Sequence, residues 1–260
     1  MPTRPSYGLD APGVVRNLFL AAAGGAFAFL TGMTLEFVFW PWSSEPIARV
    51  IIPLYFIGPW VAAACLLTGL GMVWYSYAGK VRMRERLLDR VPWRGDEAVL
   101  DVGCGRGLML VGAAARLKSG KATGVDLWQA EDLAGNSPEA TLANARAAGV
   151  ADRVEVRTGD ARRLPFPDGS FDVVVSTAAL HNIYDAAGRE QAVREIARVL
   201  KPGGRVVVAD LRHTHQYADV LRQCGLTDAR RHAGALTVPV MLLTWGSVRP
   251  ATVTARKPPN

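Results

Sequence analysis

Two long stretches without a charged side chain set the first limit on what this chain can become. Leu18–Leu35 and Val50–Gly79 contain no Asp, Glu, Lys or Arg. Roughly 20 apolar residues cross the hydrocarbon core of a bilayer. The second run is ample, and the first is adequate once Phe37–Trp40 is added. Glu36 then falls at the interface or faces the partner helix. The join Pro41–Arg49 is short and rich in turn formers, so the spacing predicts an antiparallel transmembrane hairpin over residues 1–79. Its spans run about 16–40 and 50–77. Trp40, Trp42, Trp74, Tyr75 and Tyr77 cluster at the ends, where amphipathic rings favour the headgroup region. The small residues Ala21–Gly25 allow close helix approach. Three other readings stay open. A cleaved signal peptide accounts for the first run only. A buried helical pair in a soluble core finds little protein to cover it. A re-entrant hairpin is encouraged by Pro53 and Pro59.

The flanks orient the hairpin. Lys80, Arg82, Arg84, Arg86 and Arg90 follow the second run, within a basic juxtamembrane linker over residues 80–94. Between the runs stands Arg49, opposed by Glu45. The positive-inside rule makes this a multi-pass membrane protein with both termini and the remaining domain in the cytoplasm. The formal charge is +7 and the pI about 9.7. Beside a bilayer such a basic run reads as an anionic-lipid contact, so no nucleic-acid partner is expected. Cys65, Cys104 and Cys224 are odd in number and form no C-x-x-C pair, against a disulfide framework or zinc site and in keeping with a reducing compartment.

From residue 95 to the end the pattern alternates. Strands are expected at Ala98–Val102, Ala122–Leu127, Val154–Thr158, Phe171–Ser176 and Arg205–Ala209. Helices are expected at Leu108–Leu117, Pro138–Ala148 and Glu190–Leu200. Short continuous apolar strands such as "DVVVS" suit a parallel sheet covered on both faces, hence a doubly wound α/β domain. Ligands of such sheets bind beyond the carboxyl ends of the strands. Those ends read, in order, "VLDVGCGRGL", "GVDLW", "TGDARRLPF" and "VVSTAALHN". The loop spacing is G-x-G-x-G, distinct from the G-x-G-x-x-G of nicotinamide and flavin folds. Cys104 inside it is a small filler residue. An acid at the second strand end can accept from a ribose diol.

"VLDVGCGRG", "GVDLW", "TGDARRLPFPDGSFDVVVS" and "RVLKPGGRVVVAD" resemble, in order, the motifs of class I S-adenosylmethionine-dependent methyltransferases. The middle pair is similar to the branch containing ubiquinone and menaquinone C-methyltransferases and other small-molecule enzymes. The resemblance covers about residues 95–257, and it implies a Rossmann-like, doubly wound, mostly parallel seven-stranded sheet over residues 95–260. It implies that Gly103, Gly105 and Gly107 admit the methionine and ribose parts of the cofactor, and that Asp101 organises the loop. Asp126 would bind the ribose hydroxyls, Leu127 pack on adenine, and Asp160 accept from the adenine amine with the Ala161 N–H nearby. Ser176 would begin the segment beside the methyl, and Lys201–Gly204 would be a scaffold turn. The connection after Asp126 is longer and more polar than many relatives have. Its Glu131, Asp132 and Asn136 are either a substrate wall or a solvated loop.

S-adenosylmethionine carries an activated methyl, so the protein mainly aligns the reactants and excludes water. An acceptor that must lose a proton needs a base, and His181 is best placed, with Tyr184 second. His213 and His215 lie near Asp210, but their spacing suits no common metal site, and none is expected. A tethered domain searches the bilayer surface, which favours a small amphiphilic substrate such as a quinone precursor, an isoprenoid or a phospholipid headgroup. Leu236–Val248 is either part of its access route or core. A soluble small-molecule or protein acceptor, or a non-catalytic cofactor-binding protein, remains the alternative.

Overall fold

The computed structural model describes residues 5–39, 45–129, 133, 135–234, 237, 240 and 248–259. Trp40, Trp42, Glu131, Asp132 and most of Leu236–Val248 lie outside that set. The chain divides into two units. One comprises Met1–Tyr7, Val81–Ala130 and Gly135–Asn260; the other comprises Gly8–Lys80 and Glu131–Ala134.

α3 (Lys80–Leu88) enters the first unit at Val81 and leads to the alternating elements β1 (Ala98–Val102), α4 (Leu108–Ala114), β2 (Lys121–Asp126), α5 (Pro138–Ala147), β3 (Val154–Thr158), β4 (Phe171–Thr177), α6 (Ala186–Val199) and β5 (Leu200–Asp210). After them come α7 (Thr214–Gln223), β6 (Thr227–Ala233) and β7 (Ala251–Arg256). The sheet order is β3-β2-β1-β4-β5-β7-β6. The first five strands pair in parallel, while β7 runs antiparallel to both β5 and β6. Successive crossovers run outward from β1 on one side and from β4 on the other, which makes β1/β4 the switch point. Two apolar layers cover the sheet. One contains Leu100, Val174, Ile196, Val208 and Leu221, and the other Val99, Leu110, Val175 and Val207. Alternation within β1 sends Val99 and Leu100 to opposite faces, as a sheet covered on both sides requires.

Two expectations are corrected. Residues 81–94 are not a linker. Leu87, Leu88 and Val91 are buried in the second layer, so α3 is part of the domain. Lys201–Gly204 is not a turn but the irregular start of β5. Phe171 pairs with Leu200, the register shifts, and Val173 pairs with Arg205.

In the second unit, α1 (Pro12–Phe39) and α2 (Glu45–Trp74) are followed by one π-helical turn, Tyr75–Gly79. α2 continues through both Pro53 and Pro59. Gly25 and Gly58 mark a close crossing: a Cβ on either would lie 2.7 Å from the other's carbonyl oxygen. Below it, the Phe19 ring covers Gly69. Segments Pro12–Leu35 and Phe56–Leu88 are long and apolar enough to cross a membrane, each with mean hydropathy 1.8. Many of their large side chains point outward: Phe27 is 72% and Trp60 78% exposed. At the base of this unit, the buried Lys80 donates from Nζ to Gly8 O at 2.6 Å and to Asp10 Oδ1 at 3.0 Å.

Candidate active site

β1, β2, β4 and β5 end side by side at the switch point, and each contributes a polar group there. The loop after β1 is a tight fold of backbone. Gly103 N–H and Cys104 N–H donate to Val125 O at 2.8 and 3.1 Å, and Gly107 N–H returns to Cys104 O at 2.8 Å. Gly103 has φ +71° and a Cβ there would collide with Ala179; Gly107, at φ +82°, starts α4 against Thr141. Side chains at both places are excluded by conformation and by space. Two α5 side chains hold the loop carbonyls: Thr141 Oγ1 donates to Gly105 O at 2.6 Å, and Asn144 Nδ2 to Arg106 O at 2.9 Å. Cys104 is buried, and burial followed by the charges of Asp101 and Asp126 pushes its thiol well above the ordinary range, which suits a filler and not a nucleophile.

Three acids line the strand ends. Asp101 is buried, and its Oδ2 accepts from Leu110 N–H at 2.8 Å, whereas Oδ1 has no hydrogen-bond partner among the described residues. Burial pushes its carboxyl up to about 8; the Leu110 bond opposes this and the Asp126 charge adds to it. Asp126 accepts from Gly105 N–H at 2.8 Å, Trp128 N–H at 2.7 Å and Asn136 Nδ2 at 3.2 Å. A carboxylate has about four acceptor positions. Displacing the long Asn136 bond leaves room for two vicinal hydroxyls. Asn136 is thus an orienting partner of Asp126, and its own Oδ1 is buried without a partner among the described residues. Asp160 is gripped by Arg162, whose Nη2 and Nε reach Oδ2 at 2.6 and 2.9 Å. That guanidinium, above all, holds the Asp160 carboxyl below its usual range. Leu127 is half-exposed and Ala161 partly buried beside these acids, each open to a ligand face.

Between β4 and α6 the geometry adds what local sequence did not signal. His181 lies in a 3-10 turn, Leu180–Asn182, with Nδ1 2.5 Å from Asp210 Oδ1 at the end of β5. His181 N–H donates to Asp210 Oδ2 at 3.0 Å. Asp210 is buried and also accepts from Leu211 N–H at 2.8 Å and Tyr217 Oη at 3.2 Å. The carboxylate anchors the His181 backbone and lies in ion-pair contact with Nδ1, which makes no hydrogen bond among the described residues, so Nε2 is the ring nitrogen left for chemistry. The sequence shows the two residues 29 positions apart; only the β4–β5 pairing unites them. Tyr184, by contrast, is 99% exposed, and no group among the described residues holds its hydroxyl. Ser176 is buried with Oγ donating to Val102 O at 2.8 Å, which ties β4 to β1. Among the described residues no group of His, Cys, Asp and Glu is arranged to hold a metal ion. His213 starts α7 at φ +60°; burial, then the Arg189 charge, lowers its basicity. Trp128 and Ala178 are likewise at positive φ, so the chain bends sharply just past β2, β4 and β5. Strain of this kind gathers at ligand sites.

A polar cavity of about 280 Å³ lies at the opposite end of the sheet, lined by Arg94, Glu97, Asp172, Gly204, Arg205 and Arg256. Lys201 Nζ already neutralises Asp172 there at 2.8 Å, and none of the strand-end groups reaches it.

A surplus of buried acceptors around a backbone loop defines a nucleoside site for a donor-rich, positively charged ligand. S-adenosylmethionine has that chemistry: an ammonium, a sulfonium, a ribose diol and an adenine amine. Residues 100–208 match the family described as "Methyltransferase domain". Residues 100–208 therefore form a methyltransferase domain of the class I S-adenosylmethionine-dependent kind. It is 37% identical over 131 residues to the 27-O-demethylrifamycin SV methyltransferase of Amycolatopsis mediterranei, covering 50% of this chain and 44% of that protein. It is 36% identical over 127 residues to a demethylmenaquinone methyltransferase of Lactiplantibacillus plantarum, covering 48% and 49%. The chain thus spans about half the length of these curated relatives. The fold is shared with the [4+2]-cyclase SpnF, at TM-score 0.54 and 23% identity over 69% of this chain and 82% of that one.

Proposed function

We propose that the protein is a membrane-anchored enzyme that moves a methyl group from S-adenosylmethionine to a small amphiphilic or lipid-like acceptor. The observation that carries this reading is where the hairpin interrupts the domain. Met1–Tyr7 and the chain from Val81 onward belong to one unit, with the two long apolar helices between them. A chain that leaves and re-enters one domain must cross a bilayer an even number of times. Two spans, with both ends on the catalytic side, satisfy that condition. The helix surfaces suit lipid. Apart from outward Phe and Trp, the exposed Thr34 and Thr68 hydroxyls donate back to Leu30 O at 3.1 Å and Ala64 O at 2.7 Å, so they need no water. Exposed Trp74 and Tyr77 mark an interface. Arg82, Arg86 and Arg90 are exposed beyond it and keep the side with the basic excess cytoplasmic, whereas Arg84 is largely buried. The two relatives named above act, by their names, on 27-O-demethylrifamycin SV and on demethylmenaquinone.

When bound, S-adenosylmethionine supplies a methyl group on a sulfonium. The glycine loop and Asp126 orient it, and Asp160 with the Ala161 N–H receives the base once Arg162 yields. His181 Nε2 takes the acceptor's proton, and Asp210 stabilises the resulting imidazolium through Nδ1. Supplying labelled cofactor to membranes containing the full chain should put label into the lipid extract. His181→Ala should lower that rate by about 10²–10⁴-fold with cofactor binding retained. Label found only in aqueous products would assign a soluble acceptor, and no label in any fraction would assign a binding protein. Compartment reporters at the C-terminus and at Ser43–Ser44 should report opposite sides; agreement between them would end the two-span model.

A further inference from the structure

The peptide ahead of α1 makes contacts that neither the anchor nor the chemistry uses. Ser6 N–H donates to Asn144 Oδ1 at 2.8 Å, and Ser6 O accepts from Asn144 Nδ2 at 2.9 Å. The same carboxamide donates to Arg106 O, between the loop glycines, at 2.9 Å. Asn144 is 5% exposed. Tyr7, next to Ser6 in sequence, is buried, its Oη accepting from Arg84 Nη1 at 3.1 Å with that guanidinium 5.8 Å from the ring centre. Arg84 in turn lies over Gly112 of α4, the helix that the glycine loop begins.

These bonds form one chain of contacts. A carboxamide can accept from Ser6 and donate twice, to Ser6 and to Arg106, and here it does all three. Remove the peptide and Oδ1 becomes a buried acceptor without that donor, while the amide loses the partner that fixes its rotation. The Arg106 carbonyl then loses a defined donor, and the loop on either side of it loosens. We infer that the segment preceding the first apolar helix is a positioning element of the cofactor site: Ser6 sets the Asn144 carboxamide, and Asn144 sets the Arg106 carbonyl. The cofactor loop is thereby completed by residues on the far side of the hairpin in sequence. The inference rests on S-adenosylmethionine being the ligand of that loop.

The bonds to Ser6 use its main chain, which permits a narrow test in the full-length protein. Ser6→Pro removes the N–H donor, and Ser6→Ala keeps it. Hydrogen–deuterium exchange over residues 99–110, without cofactor, should be faster in Ser6→Pro than in Ser6→Ala. Calorimetry should give S-adenosylmethionine affinity about three- to tenfold weaker for the Pro variant than for the Ala variant, the scale of one hydrogen bond. Asn144→Asp, which can accept from Ser6 but can donate to neither Ser6 O nor Arg106 O, should reproduce both changes, together with a lower melting temperature. Equal exchange and equal affinity in the two Ser6 variants would overturn the inference. So would an Asn144→Asp chain that melts earlier while loop exchange and affinity stay as in the unaltered chain. Loop exchange is read without cofactor, so an unaltered chain that fails to bind would count against the cofactor assignment and not against the clasp.

Discussion

Leu67 and Leu100 are the same residue put to opposite uses. Leu100 sits in β1 with no exposed surface, and Leu67 on α2 is 69% exposed. In the methyltransferase unit, Leu100 and its neighbours fill the space between sheet and helices, where removal from water drives packing. In the hairpin the small residues meet, Gly25 on Gly58, and the large ones face out. That inversion suits the proposed bilayer setting, because burial of Leu against Leu gains little where the surrounding solvent is itself apolar.

The comparison is most directly tested by one substitution made twice. Leu100→Ala should cost about 2–5 kcal/mol of domain stability, read as a lower denaturation midpoint. Asp126→Ala comes next: a hydrogen-bonded carboxylate is worth roughly 1.5–3 kcal/mol. Calorimetry should show S-adenosylmethionine affinity falling about 10- to 150-fold with the melting temperature nearly unchanged. In the hairpin, Gly58→Ile drives a side chain into the Gly25 carbonyl and should weaken helix pairing by about 1–3 kcal/mol. Cysteine cross-linking across the crossing should report it, and unchanged yields would mean that the helices do not cross there.

Smaller effects sharpen the picture. Asp101 has a folded-state carboxyl raised to about 8, so the ligand-free domain keeps a proton there at neutral pH. A positively charged cofactor favours the carboxylate, so that proton leaves on binding. Affinity should therefore rise as pH approaches 8 and level off above it, by at most about tenfold per unit. Titrations in buffers of different ionisation enthalpy should detect the released proton, and a pH-independent affinity would contradict it. Last, Leu67→Ala should change stability by less than about 0.5 kcal/mol. A loss comparable with that of Leu100→Ala would mean that α2 is packed against protein, not lipid.

Much of the catalytic domain was legible because its signals are local. β1 and β3 fall at the expected residues, and the glycine loop opens α4 as read. α6 begins earlier than the apolar pattern suggested, because Asp185 caps it by accepting from Gly188 N–H. α7 escaped notice, since His213 and His215 drew attention as possible metal ligands and not as a helix start. The basic run after the second apolar stretch was read as surface charge. Lys80 and Arg84 are instead spent inside the protein, on Asp10 and Tyr7.

What the amino-acid order determined by itself was the set of pieces. Two uncharged runs could only be long helices, and short apolar strands followed by Gly and Asp could only be a parallel sheet with a ligand edge. Those properties depend on neighbours along the chain, through periodicity, turn chemistry and the absence of charge. Which pieces meet was decided by the tertiary structure alone. Strand order brings Asp210 under His181, and the return of the N-terminus brings Ser6 to Asn144, 138 positions away. Such pairings leave no local trace, because each polar group is compatible with a solvated turn until the fold removes its water and supplies a specific partner.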